Sequence, residues 1–402
     1  MRKTLVTGLD IGTRTIRAVV VSYEDGRPEI VAAVAHPSKG MRHGYVSDID
    51  EVSEAVRETI EKAQLQCGRR IKELYLGVGG IGLESHTVSA SIAVSGGDGI
   101  VGDEDMKRIG RVIEDGRKDK KNKELLHSIS LGYRLDGKSV YGRALGMQGS
   151  QLSGKTLFVT IINHHLEDLI AAVEKAGCKV ADVAAAPLAA SLVTLTQAQK
   201  TAGCVLANIG AETVSLIVFE DNLPLSVAVF PLGGTSITND LALGLQLSLE
   251  EAEQIKLTRE RLSTASSKRK VDEIIAARLR DIFELIAAHL KKMGKDGLLP
   301  AGIILTGGTI GLTAIDVFAK STLLLPARKL LDLPHSMHNA KREGGDRQGS
   351  ERKATSADSA WAVAYGLTRI GHTKGKEEEA LGLERQRPLG ATALGWLKQF
   401  LP

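Results

Sequence analysis

One phrase in this chain is written twice, and the second copy is altered at chemically telling positions. Leu9-Asp10-Ile11-Gly12-Thr13-Arg14-Thr15-Ile16-Arg17 returns half a chain later as Ala207-Asn208-Ile209-Gly210-Ala211-Glu212-Thr213-Val214-Ser215. Each copy runs from a β-rich stretch through a glycine turn into an apolar run. That pattern reads as two strands joined by a tight turn, with glycine supplying the positive φ such turns demand. Backbone N–H groups converging beside a hydroxyl can cradle a phosphate. Two such turns, one from each of two similar halves, can grip one nucleotide from opposite sides. The alteration matters because Asp10 carries a charge and its counterpart Asn208 does not.

At 402 residues the chain exceeds one ordinary core, so two or more domains are expected. Apolar residues make up 43% and charged residues 25%, as in a soluble α/β protein. Aromatics at 3% are too few for a single-strand stacking platform. The net charge of +4 is modest, and the run Lys118 to Lys123 reads as a solvated loop, so no nucleic-acid partner is expected. Cys67, Cys178 and Cys204 have neither metal-ligand spacing nor a disulfide pattern, which fits a reducing cytosol. The N-terminus enters a strand almost directly, so no secretory leader is expected, and no run of 18 apolar residues is present.

Along the chain, 4–22 and 29–36 read as strands. Asp48 to Gln66 reads as a helix capped by Asp48, and Lys72 to Val78 as a buried strand. Residues 81–159 change character, with short alternating segments (His86 to Val94, Ser128 to Leu135) around one helix near Asp103 to Glu114: a small α+β insert. Helix 164–176 and strand 178–183 return to the main fold. The second half repeats the order, with strands 203–219 and 225–231, a helix after Thr238, helices 249–261 and 271–292, and the strand Gly302 to Leu305 before Thr306-Gly307-Gly308-Thr309. His335 to Ser356 reads as a surface loop, Ala357 to Gly371 as a helix, and 372–390 as a charged linker.

Either glycine turn alone is a weak signal; their conjunction with a third Gly-Gly turn after strand 302–305 resembles the actin-fold ATPase superfamily. Within it, Ser38-Lys39-Gly40-Met41-Arg42-His43-Gly44-Tyr45-Val46, Pro231-Leu232-Gly233-Gly234-Thr235 through Glu250-Glu251-Ala252-Glu253-Gln254-Ile255-Lys256, and Ile304-Leu305-Thr306-Gly307-Gly308 are similar to signatures of the bacterial FtsA family. The insert's position fits too. The resemblance implies an actin-like, ribonuclease H-like duplicated α/β fold. Its subdomains would be 1A (1–80 and 160–202), 1C (81–159), 2A (203–232 and 301–371) and 2B (233–300), followed by a linker (372–388) and an amphipathic membrane-targeting helix (389–402).

It further implies ATP with Mg2+ between the halves. Gly12, Thr13 and Arg14 would meet the phosphates on one side, Gly210 and Thr213 on the other. Gly233, Gly234, Gly307 and Gly308 would approach the nucleoside, Glu253 and Lys256 the ribose. Asp10 would hold Mg2+ through water. The implied partners are further copies of the chain in head-to-tail filaments, lipid at the cytoplasmic face of the membrane at the division site, and the C-terminal tail of the tubulin-like protein FtsZ.

The C-terminal segment speaks to the lipid expectation by its own pattern. At about 100° per residue, Leu394, Trp396, Leu397, Phe400 and Leu401 fall with Ala393 within an arc of roughly 160°. Hung from a charged linker, that face is expected to lie in a headgroup boundary rather than on a core.

The chemistry, by contrast, looks blunted. Phosphoryl transfer to water needs a held metal and a group that orients the attacking water. The second turn carries Asn208 where active relatives have Asp, and Glu212 would repel a triphosphate unless it points away. Ala186 precedes Pro187 where chaperone-type relatives carry a water-positioning Glu. No catalytic residue is assigned, and slow or absent hydrolysis is expected. Two alternatives are a pilus-assembly actin-like protein of the PilM type, which binds a membrane partner's peptide, and a sugar or acetate kinase of the same superfold.

Overall fold

The computed structural model describes residues 4–24, 27–117, 121–258, 265–331 and 358–380. The first phrase forms strands β1 (Thr4–Ile11) and β2 (Thr15–Glu24), which continue into β3 (Arg27–Pro37) and a small hairpin, β4 (Met41–Arg42) and β5 (Tyr45–Val46). Helix α1 (Ile49–Cys67) begins where Asp48 accepts from the N–H groups of Asp50 and Glu51 at 2.9 and 3.1 Å, satisfying two donors the first turn leaves open. Its apolar face (Val52, Ala55, Val56, Ile60, Ala63) is buried, and the chain then enters β6 (Glu73–Val78).

The insert follows: β7 (Glu84–Ala93), α2 (Asp103–Asp115), β8 (Lys123–Leu135), β9 (Lys138–Val140) and β10 (Gln151–Ile162), with sheet order β7-β10-β8-β9. It has a core of its own, in which Val101, Ile109, Ile113, Leu135, Leu152 and Phe158 are buried together. Alternation along β8 and β10 therefore serves a separate small layer. The first lobe resumes with α3 (Asn163–Lys175), β11 (Lys179–Ala185), α4 (Ala186–Thr194) and α5 (Gln197–Ala202).

The second lobe repeats the first. Strands β12 (Cys204–Ile209), β13 (Val214–Glu220) and β14 (Leu223–Phe230) precede α6 (Gly234–Leu245), α7 (Leu249–Thr258) and α8 (Ala265–Lys292). Then come β15 (Ile303–Thr306), α9 (Ile315–Leu323) and β16 (Ala327–Lys329). A 3-10 turn (Ser359–Trp361) leads into α10 (Ala362–Ala380). The sheets have the orders β3-β2-β1-β6-β11 and β14-β13-β12-β15-β16, each antiparallel through its hairpins and parallel thereafter. The repeated phrase thus belongs to a repeated topology. The central strands of both sheets are β-branched and buried, from Val19, Val20 and Val21 to Ile217 and Val218.

Three boundaries differ from expectation. Helix α6 starts at Gly234 rather than after Thr238, because Gly233 docks its first turn on the Gly210 turn. Helix α8 is already helical at Ala265, where the described residues resume, ahead of the apolar period. Helix α10 passes Gly371 and continues through Ala380, the last described residue, within the segment expected to be linker. Gly371 is a packing glycine, not a stop: a Cβ there would lie 2.4 Å from the Tyr75 ring and 2.5 Å from Val6. The next turn is pinned by Tyr23 stacking on His372, with centroids 3.7 Å apart, and by a Lys374–Asp182 ion pair. The expected loop 335–356 and the amphipathic segment with Leu394, Trp396, Leu397, Phe400 and Leu401 lie outside the described residues.

Candidate functional site

The two glycine turns are superposable in their hydrogen bonding. Gly12 N–H donates to the Thr15 carbonyl at 3.2 Å, and Gly210 N–H to the Thr213 carbonyl at 2.9 Å. Contrary to expectation neither glycine has a positive φ; glycine serves here because a Cβ would lie 2.8 Å from the Thr15 carbonyl oxygen and 3.1 Å from that of Thr213. In register, Asp10 faces Arg17 across the first hairpin and Asn208 faces Ser215 across the second. Between the turns lies a cleft of about 450 Å³, within the size range of small-molecule sites.

Of the residues expected at a nucleotide, Asp10, Gly12, Thr13, Arg14, Gly210, Thr213, Gly234, Glu253, Lys256, Gly307 and Gly308 all line this cleft. Gly233 does not. It caps α6, where a Cβ would lie 2.5 Å from the Ala211 carbonyl oxygen. Its neighbours Gly234 and Thr235 donate their N–H groups to the Gly210 and Ala211 carbonyls at 2.9 and 2.7 Å, so α6 buttresses the second turn. The third turn is bonded to the second as well, through Thr309 Oγ1 to the Gly210 carbonyl at 2.9 Å. Gly307, at φ 99°, presses on Asn208, whereas the position of Gly308 is open.

The side of the cleft lined by Glu253 and Lys256 is charged and bridged. Lys256, almost fully buried, donates to the Gly234 carbonyl and Thr238 Oγ1, each at 2.9 Å, and lies 2.6 Å from Glu253 Oε2. Arg14 reaches across the cleft from the first turn to pair with Glu253. Desolvation would raise the Glu253 carboxyl, but Lys256, Thr238 and Arg14 outweigh it and hold it below the ordinary carboxylate range. Burial lowers the Lys256 ammonium despite its partner Glu253.

Beside the two glycine turns, desolvation pushes the Asp10 carboxyl up to about 6, against the opposing pull of Arg17. A carboxylate so poorly compensated beside two glycine turns suits a divalent cation. Among the described residues, no group of three or more His, Cys, Asp or Glu side chains forms a closed metal site. Asp10 is the cleft carboxylate that would hold such a cation. Glu212 does not line the cleft. Ala186 does, at the start of α4, so the wall carries a methyl group where a water-orienting carboxylate would serve.

Besides Asn208 and Ala186, both singled out in the sequence, the cleft takes further residues that sequence reasoning missed. The signal was present for Gly77, Gly79 and Gly80, a glycine-dense end to β6, and for Thr309, the fourth residue of its turn. Ala360 and Val363 reach the wall only because the chain returns to the first lobe after the second.

A model of "Cell division protein FtsA" matches residues 205–366, and one of the "SHS2 domain inserted in FTSA" matches residues 80–160. The chain is 28% identical over 354 residues to the cell division protein FtsA of Pseudomonas aeruginosa, covering 83% of this chain and 84% of that protein. It is 26% identical to that of Borreliella burgdorferi over the full length of both. Among solved structures, it shares its fold with a PilM–PilN type IV pilus biogenesis complex (TM-score 0.65, 19% identity, 91% of this chain and 98% of the other). It likewise shares it with MreB5 of Spiroplasma citri bound to ADP (TM-score 0.52, 11% identity, 93% and 98%). The architecture is that of actin-like ATPases, with an SHS2 insert.

Proposed function

Because the chain belongs to the FtsA family, we propose that this cell-division actin-like protein binds ATP with Mg2+ between its lobes. In this reading it assembles head to tail on the cytoplasmic face of the membrane and anchors the C-terminal tail of FtsZ at the division site. The observation that carries the nucleotide reading is the pair of matched turns, Gly12 to Thr15 and Gly210 to Thr213, facing one cleft. The triphosphate lies between Gly12, Thr13 and Arg14 on one side and Gly210 and Thr213 on the other. Glu253 and Lys256 take the ribose, and Gly308 admits the nucleoside. Asp10 holds Mg2+ through water, and the ion neutralises charge on the phosphates when bound.

Binding therefore outpaces chemistry. Asn208 supplies no second metal-side charge, and Ala186 orients no water. ATP at 100 times its Kd should stabilise the fold by about 2.7 kcal/mol and slow amide exchange at 10–15, 208–215 and 306–309. Melting and exchange profiles unchanged by saturating ATP and Mg2+ would overturn this reading.

A further inference from the structure

Glu212 stands in the second phosphate turn, where a triphosphate would repel it, yet its side chain is turned out of the cleft and only 11% exposed. It meets the Met41–Val46 hairpin of the opposite lobe. His43 N–H donates to Glu212 Oε2 at 2.6 Å, and His43 Nδ1 lies 3.4 Å from the Glu212 carbonyl oxygen. Arg42 Nη1 lies 3.6 Å from Oε1, but that guanidinium is three-quarters exposed and its pairing is screened. The charge-assisted backbone bond is the main fastening.

The hairpin is shaped for this contact. His43 holds φ at 51°, a left-handed conformation costly for any residue with a Cβ. Gly44, at φ 82°, lays its backbone against Gly80, where a Cβ would fall 2.4 Å from the Gly80 Cα. Gly44, Gly79, Gly80 and Ala186 all line the cleft. A piece of the first lobe thus roofs the phosphate end and is tied to the second lobe by a residue of the second phosphate turn. A strained segment held closed by a partner is one way a fold stores a switchable contact.

We propose that Glu212 is a clasp that fastens the Arg42–Gly44 hairpin across the phosphate end of the cleft, so that bound nucleoside triphosphate leaves only when this contact opens. The role in release rests on nucleotide occupying the cleft; the contact itself does not. The second turn has lost a metal-side charge at Asn208 and carries a closure contact at Glu212.

The test uses the full chain, as wild type and as Glu212→Ala, Glu212→Gln and His43→Gly. Without nucleotide, the amides of 41–46 should exchange faster in Glu212→Ala by about 10- to 100-fold, as expected for losing a bond to a charged group. Release of a fluorescent ATP analogue, followed by stopped flow, should accelerate over the same range. Glu212→Gln, whose amide oxygen still accepts from His43 N–H, should fall between. His43→Gly keeps the N–H and relieves the strain, so its release should be equal to wild type or slower.

The sign is decisive, because a Glu212 that faced the phosphates would slow release on removal. Unchanged exchange at 41–46 in Glu212→Ala, or unchanged or slower release, overturns the proposal. Failure of the wild type to bind the analogue while the exchange contrast persists overturns the nucleotide reading and supports the contact.

Discussion

At Gly308 an added methyl group would enter open space in the cleft, whereas at Gly307 it would lie 2.3 Å from Asn208 Oδ1 at a φ of 99°. The two neighbours therefore separate binding from folding. Gly308→Ala should leave the melting temperature within about 1 °C and weaken ATP at least about tenfold by occupying nucleoside space. Gly307→Ala should destabilise the nucleotide-free fold by at least about 1 kcal/mol. Thermal melts beside ATP titrations check both.

Asp10 makes a third test, of opposite sign to the usual acid. Its folded value of about 6 lies above the ordinary 3.8, so the ionised form is penalised in the nucleotide-free fold. That penalty is full above pH 6 and fades as pH falls towards 3.8. Asp10→Asn should therefore stabilise the nucleotide-free protein at pH 8 by about 1–3 kcal/mol, with no gain near pH 4. The same change should remove most of the Mg2+ dependence of ATP binding. Denaturant melts at both pH values, and titrations with and without Mg2+, decide it.

Among the elements, α10 packs on the first lobe's sheet and on α4. Its glycines admit close neighbours: Gly366 lies where a Cβ would strike the Ala189 carbonyl of α4, and Gly371 meets Tyr75 of β6. The helix thus clamps the sheet that carries the first glycine turn, ahead of residues 389–402 in the sequence. For that segment, the segregation of Leu394, Trp396, Leu397, Phe400 and Leu401 from Lys398 and Gln399 predicts a helix formed on lipid. Trp396→Glu with Leu397→Glu should abolish co-sedimentation with liposomes and leave ATP binding and the melting temperature unchanged. A double variant that still pellets, or that melts several degrees lower, would place the segment on protein instead.

At the scale of the molecule, the proposed head-to-tail stacking is a heterologous contact, which extends without closing. The expected result is filaments on lipid monolayers with ATP, seen by negative stain; only discrete particles under all conditions would refute it. Turnover should stay below about one per second, the low end of ordinary enzymes. Ala186→Glu should raise it and Asn208→Asp alone should not, since the second supplies charge without orienting water. A phosphate-release assay on the three proteins distinguishes these outcomes.

The duplication, the hairpin at each turn, the insert and the cleft glycines Gly12, Gly210, Gly234, Gly307 and Gly308 were legible in the residues, because period-2 apolar runs and glycine turns are local signals. Asp10, Gly12 and Gly210 could be placed at one site from the repeat alone. Long-range packing settled the rest. Whether Gly233 touches ligand or buttresses a turn depends on how α6 meets Gly210, and whether Gly371 ends a helix depends on Tyr75, a residue in another element. The direction of Glu212 was open in the sequence, since a carboxylate beside a phosphate turn can face metal, ligand or protein. Only the approach of the Arg42–Gly44 hairpin from the opposite lobe decides it, by offering His43 N–H as a nearer partner than the cleft.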